Sequence, residues 1–447
     1  MSKTFAIGGI HPAPNKIASP LLELQPLPMT AVLPLSQHIG APATPVVKRG
    51  DHVTRGQEIA TNPAFISAGL HAPITGTVAA IEPVVMPNGK PSTAIIIKAT
   101  EEEHQADTEA RTAYWQSMVP GQTERGIGEG FTAAELREKI SASGIVGLGG
   151  AAFPTSAKLT LRDRKADTLI INCCECEPYL MCDDALARTY PARIVEGIEL
   201  IMKAAEIPHA VIAIEDNKPE AAAALRKAIG NLESISLEVL RTRYPQGGEK
   251  QLIQAVTGRR VPSGGLPLAV GVIVHNVATA FAVWQAIDSG VPLIERVVTI
   301  TGDIPAGQRR NYIAAIGTPL SEFEFTLPDH PKVIVGGPMM GRTAVRLDAP
   351  LTKALSGLTI LRESRRGPVE ACIRCGKCVE ACPMGLEPYL LATYGRLRMW
   401  EDARDNLVAD CLECGSCSYV CPAKRPLTPT VTLAKTFLKS QENRGKA

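Results

Sequence analysis

A chain of 447 residues exceeds what one hydrophobic core can organise, and typical domain sizes divide it into roughly three or four compact units. With 47 basic and 45 acidic residues its charge is nearly balanced, which excludes selection of nucleic acid by global charge, and its apolar fraction of 45% is that of an ordinary globular protein. The opening MSKTFAIGGIHPAPNK holds no apolar run long enough for a signal-peptide core, so retention in the cytoplasm is expected and disulfides are not.

Residues 1–105 are rich in Pro, Gly and β-branched residues, and short runs such as Thr93–Ile97 between turn signals predict a small all-β module. Within it, VKRGDHVTRGQEIA and HAPITGTVAAIE resemble the two halves of a biotinyl/lipoyl-type barrel-sandwich hybrid. Pro73-Ile74-Thr75-Gly76 stands where such carriers place their modified lysine, so a structural role is expected. The polar stretch ATEEEHQADTEARTAYW reads as a linker or surface helix. From 126 to 292, strands near Thr168–Asn172, Ala210–Ile214, Leu237–Leu240 and Val270–Val274 alternate with helices, which predicts a Rossmann-like α/β layer. The longest apolar stretch, LPLAVGVIVHNVATAFAVWQAI, is broken by His275 and Asn276 and reads as strand, turn and helix rather than a membrane span. Residues 293–347 return to short strands and resemble a soluble-ligand-binding (SLBB-like) β-grasp domain.

Residues 365–447 contain CIRCGKCVEACP and CLECGSCSYVCP, each C-x2-C-x2-C-x3-C-P. This is the bacterial ferredoxin run, in which three thiolates bind one 4Fe–4S cubane and the fourth binds the other. The crossing rule assigns Cys372, Cys375, Cys378 and Cys421 to one cluster, and Cys411, Cys414, Cys417 and Cys382 to the second. Between the runs, Leu390, Tyr394 and Leu397 at helical spacing, with Pro388 near a first turn, predict a mostly helical ferredoxin-like domain.

The loop GLGGAAFPTSAK matches G-x-G-x-x-A at Gly147, Gly149 and Ala152, but a predicted helix precedes it where the dinucleotide fingerprint has a strand. Followed in order by NCCECEPY, YPQGGEK and HNVAT, it resembles the flavoprotein subunit of respiratory complex I. With GGIHP near the N-terminus, the barrel-sandwich module and the two cluster runs, the chain is more similar to the RnfC family, the NADH-handling subunit of Rnf electron-transport complexes. The resemblance implies FMN on a loop of Gly147, Gly149 and Gly150 with Lys158. It implies a flavin and nicotinamide site lined by Asn172, Glu175 and Glu177, the two glutamates carrying the catalytic assignment. A second flavin loop follows at Tyr244, Gly247 and Glu249, with Asn276 and Thr279 near the FMN phosphate. It also implies NAD(H) as substrate, other Rnf subunits as partners with ferredoxin reached indirectly, and a peripheral position on the cytoplasmic face of the membrane.

The parts agree chemically, because a nicotinamide exchanges two electrons as hydride, a cubane exchanges one, and a flavin converts between them. Cys174 stands where the complex I proteins have aspartate, Cys173-Cys174 where RnfC usually has Gly-Ala, and Gly247-Gly248-Glu249 where complex I has Gly-Glu-Glu. Two other readings remain open: a soluble flavin/iron–sulfur reductase such as a cobalamin reductase, and a non-catalytic iron–sulfur scaffold. The four thiols of CCECEPYLMC are expected to be reduced pocket-wall residues, since adjacent Cys173 and Cys174 leaving a strand point to opposite faces. Asp183 and Asp184 read as helix-capping residues.

Overall fold

The computed structural model describes residues 3–118, 126–161, 165–362 and 367–444; the outer limits of the first and last predicted domains lie partly outside these. The N-terminal module is a sandwich of a four-stranded antiparallel sheet (Thr30–Pro34, Pro91–Lys98, Gly76–Val85, His52–Val53) and a three-stranded one (Thr44–Pro45, Glu58–Thr61, Leu70–His71). Ala31 and Leu33 alternate inward, as strand geometry requires, onto Val53, Ile59, Leu70 and Ile95. The Pro73–Gly76 turn is closed from outside: Asp107 accepts from the Thr75 N–H at 2.5 Å and from its hydroxyl at 2.9 Å, and Ile74 is buried. Asp107 belongs to a helix over Glu101–Ser117, so the polar stretch is a helix, started by a Thr100–Glu103 capping box. Its Arg111 and Trp115 reach Glu295, which Arg55 also meets at 3.0 Å, so one buried carboxylate ties the sandwich, the helix and the next sheet together.

Four parallel strands form the α/β layer, in the order Ile235–Leu240, His209–Glu215, Thr168–Cys173, Val272–Asn276. In chain order that is 3-2-1-4, the order of a doubly wound sheet. Apolar cores lie on both faces, and Cys173 packs into one while Cys174 packs into the other. Two helices on one face, Pro191–Ala205 and Val277–Asp288, approach so closely at Gly197 that a side-chain carbon there would strike the Ala280 carbonyl.

A six-stranded sheet follows, ordered Leu22–Leu24, Arg310–Ala315, Glu295–Gly302, Gly357–Arg362, Pro331–Val335, Arg342–Thr343. This corrects the expected boundary at 347, because Gly357–Arg362 is an internal strand paired on both edges. It also takes Leu22–Leu24 out of the N-terminal module, a strand of three residues that is too short to carry a periodic signal. The last domain is helical among the described residues, with Pro388–Leu397 packed on Leu427–Arg444 around Leu391, Ala403, Val408 and Val431. No helix among the described residues is long and apolar enough to cross a membrane.

Gly197→Ala is expected to destabilise the α/β domain by about 1–3 kcal/mol through overpacking, read as a lower apparent Tm with the N-terminal sandwich retained. An unchanged Tm would show that the two helices can separate at no cost.

Candidate flavin and iron–sulfur site

Doubly wound sheets bind ligands outside the carboxyl ends of their strands, at the point where the strand order reverses. Here that crevice opens between Thr168–Cys173 and Val272–Asn276, and the residues expected at the flavin converge on it. Asn276 ends its strand and caps the following helix, its side chain accepting from the Ala278 N–H at 2.9 Å. Its amide group donates to Asp183 Oδ2 at 2.7 Å and to the Asn172 carbonyl at 3.4 Å, bridging the two strand ends. One turn along, the Thr279 hydroxyl accepts from the Leu148 N–H at 3.0 Å, while the Leu148 carbonyl accepts from Arg296 Nη2 at 3.3 Å. The glycine loop is therefore held on both sides of Leu148.

Gly149 lies against Asn276, where an added side-chain carbon would be 3.2 Å from Asn276 Cβ. Gly150, at φ +109°, faces open space, and Gly147 meets nothing closer than 3.6 Å. The loop thus presents bare backbone to the crevice, the surface a planar cofactor needs for close approach. Lys158 extends its ammonium group to the Val274 carbonyl at 2.8 Å and Glu249 Oε1 at 3.2 Å. Asn172 donates to the Gly247 carbonyl at 2.9 Å, and Gly247 packs so tightly on the Cys174 carbonyl that no side chain fits. Gly147, Gly149, Gly150, Lys158, Asn172, Gly247, Glu249, Asn276 and Thr279 are brought together, and the donor set suits a flavin with an anionic phosphate.

The remaining predicted residues lie in the loop and its neighbours but point to other partners. Glu175 is buried and accepts from Cys182 Sγ and the Asp183 N–H, both at 3.1 Å, so its carboxylate covers the start of the helix Cys182–Thr189. Asp183 does not cap that helix; it faces Asn276, and burial reinforced by the Glu175 charge raises its carboxyl to about 7. Glu177 accepts from the Met339 and Met340 N–H groups at 3.0 and 2.7 Å, and Gly337 packs on it with no room for a side chain. Burial, opposed by those two amides, raises Glu177 to about 7. Tyr244 is buried with its hydroxyl on the Cys414 carbonyl at 2.8 Å, so it links the second loop to the iron–sulfur domain.

Sequence reasoning missed the cations that hold this loop. Lys16 donates to the carbonyls of Glu175 and Glu177, each at 2.8 Å, and to that of Leu180. Lys218, paired with Glu215 at 3.0 Å, reaches the Glu175 carbonyl at 3.4 Å. Neither belongs to a motif, although Lys16 follows GGIHP by four residues, and only the buried loop creates their role. Glu175, Cys182 and Asp183 bring one ligand atom each within 4.8 Å of one another, but each is bonded within the protein.

The eight C-terminal cysteines form two sets. Cys382, Cys411, Cys414 and Cys417 line one pocket, and Cys372, Cys375, Cys378 and Cys421 line another of about 400 Å³. Each set combines three thiols of one run with the fourth of the other, which is the arrangement that cross-ligated cubanes need. The first set faces the α/β domain. Ile10, Tyr244, Ala381 and Cys414 form a buried seam there, joined by Cys176, Met339 and Leu412.

Comparison with known proteins agrees with this reading. Residues 140–285 match the Nuo51 FMN-binding domain, 4–102 the RnfC barrel sandwich hybrid domain, and 368–425 a 4Fe-4S dicluster domain. These define an oxidoreductase component that carries FMN and two 4Fe–4S clusters. The chain is 40% identical to one subunit of the Na(+)-translocating ferredoxin:NAD(+) oxidoreductase complex of Acetobacterium woodii, over 98% of both proteins. It is 39% identical to the corresponding subunit of the proton-translocating ferredoxin:NAD(+) oxidoreductase complex of Clostridium ljungdahlii, over 90% of this chain and 87% of that one. The corresponding subunit of an ion-translocating oxidoreductase complex of Rhodobacter capsulatus is 40% identical over 87% and 75%. The chain belongs to this RnfC family. Its fold is shared with a chain of an NAD+-reducing [NiFe]-hydrogenase, at TM-score 0.50 and 18% identity over 77% of this chain and 73% of that one.

A carboxyl at about 7 in the fold, against 4.5 unperturbed, stabilises the fold fully below pH 4.5 and loses that contribution as pH rises through 7. The stability of the protein relative to its Glu177→Gln variant is therefore expected to fall between those two pH values. Denaturant melts across the window measure this, and a flat difference would return Glu177 to the ordinary range.

Proposed function

We propose that the chain exchanges hydride with NAD(H) at an FMN held over Gly147–Gly150, and passes single electrons through its two clusters to partner subunits of an ion-translocating complex. Bound flavin supplies the conversion between two-electron and one-electron chemistry. The chain's own residues do the rest. The loop pinned by Thr279 and Arg296 gives a flat backbone seat, Lys158 and the helix beginning at Val277 offer positive charge to the phosphate, and the Asn172–Gly247 contact fixes the second loop. Glu175 and Glu177 serve as positioning residues that shape the nicotinamide side of the pocket. The six-stranded sheet is an SLBB-like β-grasp unit, and its Met339–Met340 loop closes that side. The complex works at the cytoplasmic face of the membrane, with ferredoxin reached through other subunits.

The observation that carries this reading is the buried seam. The Tyr244 hydroxyl sits on the Cys414 carbonyl, and Gly8 and Gly9 pack on Cys382-Pro383 and the Ala381 carbonyl. The set at Cys382, Cys411, Cys414 and Cys417 is thus the first stop from the flavin, and the set at Cys372, Cys375, Cys378 and Cys421 the second.

Purified protein is expected to hold about one FMN and two clusters, roughly eight iron atoms, per chain. Cys382→Ser should interrupt passage from NADH-reduced flavin to both clusters, whereas Cys421→Ser should leave reduction of the first intact. Paramagnetic resonance after NADH addition distinguishes them, and the opposite pattern would reverse the order. Lys158→Ala should lower FMN retention on gel filtration without loss of iron; full retention would remove Lys158 from the flavin site.

A further inference from the structure

The two cluster runs are near copies of each other in backbone. Arg374 and Glu413 occupy equivalent positions, both left-handed, at φ +56° and +58°, and Gly376 and Gly415 follow at φ +76° and +80°. Their surroundings are opposite. Around the first-stop set, Leu412 packs into the seam, Cys414 is buried, and Gly415 lies against the Met339 carbonyl, 2.8 Å from where its side-chain carbon would be. The equivalents at the second set are uncovered: Ile373 is 68% exposed, Cys375 is exposed, and a side-chain carbon added at Gly376 would meet nothing within 4 Å among the described residues. One half of a repeated surface is docked on this chain's own domains, and the same half of its copy is open.

The charges differ in the same way. Glu413 is paired with Lys435 at 3.2 Å and Ser416 is buried, whereas their counterparts Arg374 and Lys377 are exposed and have no ion-pair partner among the described residues. Arg374 and Arg425 line the open pocket, Lys424 is exposed beside it, and no carboxylate lines it among the described residues. An apolar centre bordered by Arg374, Lys424 and Arg425 against the acidic Glu370 at Ala423, with ligand cysteines at the surface, is complementary to an acidic protein and suited to a small transient contact.

We propose that the face around Arg374, Lys377 and Arg425 is the docking surface for an acidic one-electron carrier, an iron–sulfur protein or domain with its own cluster near its surface. It occupies the second set as the α/β domain occupies the first. One electron leaves the reduced partner cluster and enters the cluster held by Cys372, Cys375, Cys378 and Cys421, or returns; no bond forms or breaks and no proton moves. This rests on the two-cluster assignment but not on the nicotinamide chemistry.

The test uses the purified full chain and a pre-reduced acidic two-cluster ferredoxin as probe, with cluster reduction followed by absorbance and paramagnetic resonance, so that neither NADH nor flavin is needed. The variant is Arg374→Glu/Lys377→Glu, whose first change introduces the residue that the other run already carries at the matching backbone conformation. Iron content and the resonance signal of the second cluster should be unchanged. The second-order rate with the probe should fall about tenfold at low salt. The wild-type rate should drop steeply between roughly 0.01 and 1 M salt while that of the variant stays nearly flat. An unchanged rate with both clusters intact would overturn the proposal. So would loss of binding to anionic phospholipid vesicles with the probe rate unaltered, which would make the membrane surface the occupant. If the double variant loses iron, Lys377→Glu/Lys424→Glu carries the same expectation.

Discussion

The order of four parallel strands governs the rest of this molecule. Because Thr168–Cys173 and Val272–Asn276 are neighbours at the point where the strand order reverses, Asn172 and Asn276 stand at one crevice mouth without any loop having to search for it. The glycine loop is added to that mouth from just upstream of the first of these strands, anchored at Ala152 by the Ile39 N–H and on both sides of Leu148. Thr279 takes the Leu148 N–H and Arg296 takes the Leu148 carbonyl. Arg296 comes from the six-stranded sheet, so the placement of the glycine loop is a property of two domains rather than one.

The CCECEPYLMC loop shows how a short segment can be buried almost whole. A buried loop exposes its carbonyls to a medium that cannot solvate them, and here Lys16 and Lys218 take the place of water. The thiols need no such help. Cys173 and Cys174 enter opposite cores, and burial drives the thiols of both, and of Cys176 and Cys182, well up. They stay protonated packing residues, with Cys176 at the edge of the seam that leads to Cys414.

Much of this was legible in the sequence, for reasons that can be given residue by residue. The two C-x2-C-x2-C-x3-C-P runs point to crossed ligand sets because cubane geometry allows few spacings, and each of the two pockets is lined by one such set of four cysteines. The parallel strands were legible because β-branched runs alternate with helical periods. What was hidden depends on contacts between distant residues. Leu22–Leu24 has too few residues to announce a strand, and Lys16 looks like any surface lysine until a loop is placed over it. Tyr244 carries a flavin-loop motif, yet its side chain turns to Cys414. Motifs locate the loop, but only packing decides which way each side chain goes.

The N-terminal segment has a consequence for how the chain is made. Lys3 extends the parallel sheet at Leu240, Ile10 pairs with Tyr244, and Gly9 donates to the Ala381 carbonyl, so this segment is seated partly on residues far downstream of it. Gly8 is threaded so closely over Cys382 that the contact can form only after that turn has its final shape. Contacts of such long sequence separation form late, because the intervening chain must be ordered first. The seam beside Cys414 therefore closes only after the turn at Ala381–Cys382 has been made and shaped. A nascent chain that already holds its α/β layer still has its seam open, and a cubane inserted at that moment would be exposed on the side that the finished protein keeps dry.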